Sequence, residues 1–181
     1  MRHHLRRTCS AALATVALGS SAVFGSGCSG ARAPEAETVQ VSSEPVEFAF
    51  GVLDGTVLTA ENTRGRATVL LFATSYDLPS QVAARRLDEV LHQHQPRFNA
   101  ACVVLEAADN AILVQTFRDT LHLSYPVAIA DVVEIRSSTA FSKIDRVPTV
   151  VVLDRRGRER LRHYGGFEAK DLAAWLASVE R

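Results

Sequence analysis

The sequence predicts an α/β fold, a three-layer α/β/α sandwich built on a mixed central sheet with a β-hairpin at its N-terminal side. Three observations carry this. The runs inside "RGRATVLLFATS" and "NAACVVLEA" are almost continuously apolar, the mark of strands buried on both faces. Each is followed by a segment whose apolar residues recur at helical spacing, so the two strands run parallel with crossover helices. A hairpin pattern stands at either end of this βαβα unit, which supplies the antiparallel strands of a mixed sheet.

Taken in order, "VEFAFGVLDGTVLTA" alternates on either side of Leu53-Asp54-Gly55 and reads as a hairpin with an Asp-Gly turn. "RGRATVLLFATS" is the first buried strand. A helix is expected from about Leu78 to His94, with Ala83, Leu87, Val90 and Leu91 on one face and Pro96 as its stop. "NAACVVLEA" is the second buried strand. "AILVQTFRDTLHL" is a second helix, with Ile112, Leu113, Thr116, Phe117 and Leu121 expected on its inner side. "SYPVAIAD" is a short extended piece, and "EIRSSTAFSKI" is a weak helix. A second hairpin follows: a buried strand Thr149–Leu153, a turn from Asp154 to Gly157, and a strand from Arg158 to Tyr164. "FEAKDLAAWLASVER" closes the chain as an amphipathic helix with Leu172, Trp175, Leu176 and Val179 inward.

The first residues read as an address. "MRHHLRRTCSAALATVALGSSAVFGSGCSG" has a basic start, an apolar stretch from Ala11 to Phe24, then small residues and Cys28. That is the order of a secretory signal, and it is too short and too broken by Ser and Gly for a membrane-spanning helix. Gly-Ser-Gly before Cys28 resembles a bacterial lipobox, with Gly25 where that motif usually has an aliphatic residue. Residues 1–27 are therefore expected to be a lipoprotein-type signal and Cys28 the lipid-bearing residue. Residues 28–45, polar and without apolar periodicity, are expected to be a disordered tether. Some 17 residues of flexible chain reach about 20–25 Å. The folded domain is assigned to residues 46–181.

Charge and cysteine usage narrow the function. Lys plus Arg equals Asp plus Glu, 20 against 20, so there is no whole-chain footprint for nucleic acid. Arg2, Arg6 and Arg7 fall in the signal, which leaves 17 basic and 20 acidic side chains, a net charge of −3. Of the three cysteines, Cys9 lies in the signal and Cys28 at the expected anchor, so Cys102 stands alone and cannot form an internal disulfide. It sits in a buried-strand pattern, where a cysteine serves as a small hydrophobe.

From Val46 onward the chain resembles the TlpA-like branch of the thioredoxin superfamily, membrane-tethered extracytoplasmic thiol–disulfide oxidoreductases. "FATSYDLPS" aligns without a gap on that family's "FWATWCxPC". "FRDTLHLSYPVAIAD" resembles its "F...lgl.fPv..D", and "VPTVVVLDRRGR" its "vPttflIDrdGri", followed by "YGG" and a last helix. The resemblance implies a thioredoxin-like domain with its chemistry at the start of the first helix, where the positive helix end depresses a thiol pKa. At the two cysteine positions this chain has Asp77 and Ser80. Tyr76 takes the place of the family's Trp, and Pro79 is kept. The resemblance also implies that Val147-Pro148 is a cis bond facing the motif, and that the backbone before it pairs with an extended peptide.

Two readings of the corner stand side by side. Asp77 suits a helix N-cap, worth about 1 kcal/mol, so the site has become a stabilised helix start. Alternatively Tyr76, Asp77, Pro79, Ser80, Val147 and Pro148 still form a groove that binds without covalent chemistry. A hydrolase is disfavoured because there is no G-x-S-x-G elbow and no histidine placed near Asp77 and Ser80. His92 and His94, at i and i+2, lie on different helix faces and do not make a metal site. No cofactor and no metal are expected. The functional expectation is a lipid-anchored protein of the bacterial envelope, facing the periplasm or the cell exterior. It would be monomeric and redox-inactive, and would bind an extended protein segment or an envelope protein. The competing expectation is oxidoreductase activity through Cys102 or a partner's thiol.

Overall fold

The computed structural model describes residues 42–94 and 97–180. The signal segment, Cys28, the tether up to residue 41, and Pro96 lie outside the described residues. Strands β1 (Ala49–Val52) and β2 (Val57–Thr59) form the first hairpin, with Phe50 opposite Leu58. The turn follows from its chemistry. Asp54 accepts the Thr56 amide at 2.9 Å and its hydroxyl at 2.6 Å, and Gly55 takes φ +85°, where a side chain would be strained.

Next come α1 (Ala60–Thr63), β3 (Ala67–Ala73), α2 (Leu78–His94), β4 (Phe98–Leu105), a 3-10 turn at Ala108–Asn110, and α3 (Ala111–Leu121). β5 (Val127–Ala130), α4 (Val132–Ser137), β6 (Thr149–Leu153), β7 (Glu159–Tyr164) and α5 (Ala169–Val179) complete the domain. The seven strands make one sheet in the order β2-β1-β5-β4-β3-β6-β7. β3 pairs in parallel with β4, and β4 with β5, while β6 is antiparallel to β3. All seven residues of β3 are buried, as a central strand covered on both faces requires.

The core has two halves. On one face α2, α3 and α5 pack through Ala83, Leu87, Val114, Phe117, Leu172 and Leu176. On the other, Ile135 of α4 joins the segment around Phe141 and Ile144. An aromatic cluster fills that side, with ring centroids 5.0 Å apart for Phe72–Phe141 and 6.3 Å for Phe50–Phe72.

The sandwich, the mixed sheet and the N-terminal hairpin match the expectation from sequence, and the bounds of α2 and β6 are those expected. Three details differ. α1 is a single turn that the alternating pattern concealed, and a reciprocal cap between Thr59 and Asn62 holds it. α4 starts at Val132, ahead of the expected helix, because Asp131 caps it by accepting the Val133 amide at 2.7 Å. It stops at Ser137 rather than continuing to Ile144. The inner face of α3 is rotated from the expected one, although Phe117 and Leu121 lie on it as expected. Val114 and Phe117 point inward, whereas Ile112 and Leu113 are exposed and the Thr116 hydroxyl turns back to the Ile112 carbonyl at 2.8 Å.

Candidate functional site

The site is the loop between β3 and α2, at the end of the sheet where the parallel strands finish. β3 ends at Ala73, and α2 begins at Leu78, which makes Asp77 the N-cap. Its Oδ1 accepts the Ser80 amide at 2.8 Å, an N-cap to N3 bond. Its Oδ2 accepts two hydroxyls, Ser80 Oγ at 2.6 Å and Thr74 Oγ1 in a very short contact. The Ser80 hydroxyl in turn accepts the Thr74 amide at 3.2 Å. Thr74, Asp77 and Ser80 thus form a closed ring of hydrogen bonds across the first turn of α2.

Electrostatics follows from this ring. Partial burial pushes the Asp77 carboxyl up. The hydroxyls of Ser80 and Thr74 and the Ser80 amide outweigh that, and hold it below the ordinary carboxylate range. The corner therefore carries a fixed anion supported by neutral donors and by the positive end of a 17-residue helix. Ser80 is completely buried, while Tyr76 is 78% and Leu78 70% exposed. Pro79 is exposed as well.

Two neighbours complete the corner. Glu106, buried just past the end of β4, accepts the Ser75 amide at 2.7 Å and ties the two parallel-strand loops together. Gln81 reaches back to the Ser75 carbonyl at 3.0 Å. On the other side Thr149 of β6 lies opposite Phe72 of β3, so the Val147-Pro148 peptide just before it stands at the same end of the sheet as the loop. That peptide is cis, with Pro148 buried and Val147 half-buried. The Pro148 carbonyl accepts the Gly165 amide at 2.7 Å.

The structure thus brings Asp77 and Ser80 into direct contact and puts Tyr76 and Pro79 on the surface beside them, with Val147-Pro148 across the adjacent strand. Cys28 lies outside the described residues. Among the described residues, no histidine bonds to Asp77 or Ser80. His92 and His94 each turn to a carbonyl of their own helix, of Asp88 at 2.8 Å and Val90 at 3.0 Å. Cys102 is fully buried in the middle of β4, and burial pushes its thiol far above the ordinary range. Thr74 and Glu106 were not anticipated from sequence. Thr74 had a usable signal, a hydroxyl three residues before a capping aspartate. Glu106 had none, because only the β3–β4 pairing brings it to Ser75.

Chemically, the ring has no thiolate, and the carboxylate that accepts the Ser80 hydroxyl is held below the ordinary range and is therefore a weak base. It can hold a helix start rigidly and present one negative charge beside an exposed aromatic ring.

No family model matches the chain, and no curated protein matches it by sequence. Solved structures do match. A DsbF homologue from Corynebacterium diphtheriae superposes with TM-score 0.67 at 17% identity, over 77% of this chain and 87% of its own. A secreted thiol-disulfide isomerase from Corynebacterium glutamicum gives TM-score 0.67 at 17% identity, over 75% of this chain and 84% of its own. A thiol:disulfide interchange protein of the thioredoxin family from Chlorobium tepidum TLS gives 0.66 at 18%, over 75% and 94%. At these identities the likeness is one of fold, and the fold is that of thioredoxin-like proteins.

Proposed function

We propose that this chain is a membrane-tethered, extracytoplasmic thioredoxin-like protein without thiol–disulfide activity, and that its corner binds an extended protein segment non-covalently, in client binding or envelope assembly. One observation carries the reading. Where the resemblance implies a cysteine pair, Asp77 and Ser80 are locked to each other and to Thr74, while the cis Val147-Pro148 peptide beside them is kept. The secreted or disulfide-handling descriptions of the structural neighbours are consistent with work outside the cytoplasm. The lipobox-like Gly-Ser-Gly-Cys28 supports a lipid anchor in a bacterial envelope, facing the periplasm or exterior.

The competing reading, oxidoreductase chemistry through Cys102, is disfavoured. That thiol is fully buried and its pKa is raised, so it supplies almost no attacking thiolate. A partner's thiol would meet no disulfide to exchange with at the corner.

An insulin-reduction assay with dithiothreitol tests the loss of activity. The expected rate is the uncatalysed background, and turnover that survives Cys102→Ser would overturn the proposal. Amide-shift mapping with an extended peptide that carries a single lysine tests the groove. Shifts confined to residues 75–81 and 145–149 are expected, and none at saturating peptide would reduce the corner to a helix cap. Mass spectrometry of the N-terminal peptide tests the anchor: lipid on Cys28 is expected, and a free Cys28 thiol would refute it.

A further inference from the structure

The end of the sheet opposite the Asp77 corner carries a second surface, and it is basic. β3 runs seven residues from this end to the corner, so the two lie about 20 Å apart. The turn between β6 and β7 displays Arg155 and Arg156, both exposed. It opens on a cavity of about 440 Å³ that Arg155, Arg156, Arg158 and Arg160 share with Val179 and Glu180 at the end of α5. The Gly65 amide donates to the Arg155 carbonyl at 2.9 Å, which brings the exposed Arg66 beside this turn. Ala67 and Phe98 open the paired run of β3 and β4. Arg66 and the exposed Arg97, each one residue earlier, therefore stand at the starts of neighbouring strands.

The surface stays positive once the acids at this end are set against it. Asp154 is taken up by Arg158 at 2.7 Å, Glu159 by Arg162 at 2.7 Å and Glu47 by Arg64 at 2.6 Å. Among the described residues, Arg66, Arg97, Arg155, Arg156 and Arg160 have no ionic partner. Against these arginines stand the carboxylates of Glu61 and Glu180. The C-terminal ends of α2 and α5 add about half a negative charge each, so about two positive charges remain. Asp54 also lies at this end, but on the β1–β2 turn, beyond β4 and β5 and near Arg118. Guanidinium groups stay charged at any physiological pH. The balanced composition hides this surface, because only the fold collects these arginines at one end.

We infer that this end is the face that rests on a membrane, with its arginines against anionic phospholipid headgroups and the Asp77 corner turned away from the lipid. This orientation depends on the tethered reading proposed above. The entry of the chain into the fold favours it. The Val46 amide donates to the Gly157 carbonyl at 2.9 Å and Pro45 lies beside Gly157, so the N-terminal segment joins the sheet at the basic turn. Residues 29–41, 13 in number, separate Cys28 from the first described residue. At the flexible-chain scale they reach about 20 Å. A lipid on Cys28 thus keeps the basic end near headgroups at high effective concentration, where attraction of roughly fivefold per arginine accumulates. An acidic protein or a nucleic acid has no such tether to favour it. Asp154 and Arg158 are the brace of the turn, and the unpaired arginines around them meet the lipid.

The test uses the full chain from a bacterium that processes lipoproteins, with vesicles of phosphatidylcholine alone or mixed with phosphatidylglycerol. Partition onto phosphatidylcholine reads the anchor, and the gain on adding phosphatidylglycerol reads the basic surface. A gain of about tenfold or more is expected at 0.05 M sodium chloride, and its loss at 0.5 M, where the screening length is about 4 Å. Arg155→Gln with Arg156→Gln and Arg160→Gln should remove the gain. Arg85→Gln with Arg136→Gln and Lys170→Gln, an equal charge change elsewhere, should keep it. Hydrogen exchange of the unmodified chain needs no variant to fold. It should slow at residues 64–66 and 154–160 on the anionic vesicles and not at residues 75–81. Equal gains in the two triple variants, or protection at residues 75–81, would overturn the orientation. So would tighter binding to a polyglutamate peptide or a single-stranded oligonucleotide than to the anionic vesicles. A gain without partition onto phosphatidylcholine would refute the anchor and leave the surface. Partition onto phosphatidylcholine without a gain would refute the surface and leave the anchor.

Discussion

Two aspartates stand just beyond strands at opposite ends of the sheet, and they are held in different ways. Asp154 follows β6. Its Oδ1 accepts the amides of Arg156 at 2.9 Å and Arg158 at 3.0 Å, and its Oδ2 receives the Arg158 guanidinium at 2.7–2.8 Å. Asp77 follows β3 and accepts only neutral groups, two hydroxyls and one amide. Both carboxyls lie below the ordinary range despite partial burial. The turn at Asp154 neutralises its charge within itself, which suits a purely structural corner. The corner at Asp77 keeps a negative charge with no ionic partner, offset only by the helix start, with an exposed tyrosine beside it. That difference is why the Asp77 carboxylate is read as part of a binding site and the Asp154 carboxylate is not.

The sharpest way to break the comparison is to give the Asp77 corner back its sulfurs. Asp77→Cys with Ser80→Cys puts a thiol at the N-cap and another at N3, where the positive helix end favours the first thiolate. The double variant is expected to form a reversible disulfide, counted by thiol titration with and without dithiothreitol. Insulin reduction should rise from background to a clear multiple of it. A variant that folds yet never closes the bond would mean that only the overall fold, and not this loop, follows the thioredoxin pattern. Cysteines placed at Asp154 and Gly157 in the same chain are the control and should gain no reductase activity, since no helix begins there.

The second comparison is of stability. Asp154→Ala strips two amides and a guanidinium of their shared acceptor, and hydrogen bonds to a charged group are each worth about 1.5–3 kcal/mol before rearrangement. With Arg158 able to turn to water, a net loss of about 2–3 kcal/mol is expected in urea unfolding. Asp77→Ala removes one cap, at about 1 kcal/mol, because the freed hydroxyls of Thr74 and Ser80 can rotate. Ser80→Ala should cost about 1–3 kcal/mol, since it leaves the buried Thr74 amide without an acceptor. An Asp77→Ala loss exceeding that of Asp154→Ala would show the corner to be the stronger structural element and weaken its reading as a binding site.

Much of this was legible in the sequence, and the reasons are specific. The apolar runs of β3 and β4 and the spacing of Ala83, Leu87, Val90 and Leu91 define a strand-helix-strand unit, because burial on both faces leaves few other patterns. Asp77 could be read as a cap because it is an aspartate directly before the segment of helical spacing that starts at about Leu78. The face of α3 was misread. Ile112 and Leu113 satisfy the helical period with Phe117 as well as Val114 does, and only packing against β5 decides which of them turns inward. Where sequence logic failed, Ile112 and Leu113 are left exposed on the outer side of α3. Glu106 was out of reach because its role depends on a contact 31 residues away.

Acid sensitivity should be shared by both corners. Each folded carboxyl is held below its ordinary value, so each contribution is fully present above about pH 4. It is lost as the pH falls through the depressed folded value. Stability measured from pH 7 down to pH 2 should thus decline at the low end. Asp77→Asn and Asp154→Asn should each flatten that decline, Asn at the cap keeping most of the stability above it. An unchanged acid limb in Asp77→Asn would mean that the ring of hydroxyls does not favour the carboxylate.

Salt gives the smallest effect and the finest discrimination. The Asp154–Arg158 pair is partly exposed, with 27% of the arginine side chain accessible, so its attraction is open to screening. Raising sodium chloride from 0.05 to 1 M should shrink the penalty of Asp154→Asn by about 0.3–0.5 kcal/mol. The penalty of Asp77→Asn should move by less, because its donors are neutral and only the helix-end contribution is screened. The measurement is a double comparison, each variant against the unmodified chain at both salt concentrations, so general salt effects on folding cancel. A salt response at Asp77 as large as that at Asp154 would reveal a cationic partner for Asp77. Its charge would then be neutralised within the fold, and the corner would lose the anion on which its proposed binding role relies.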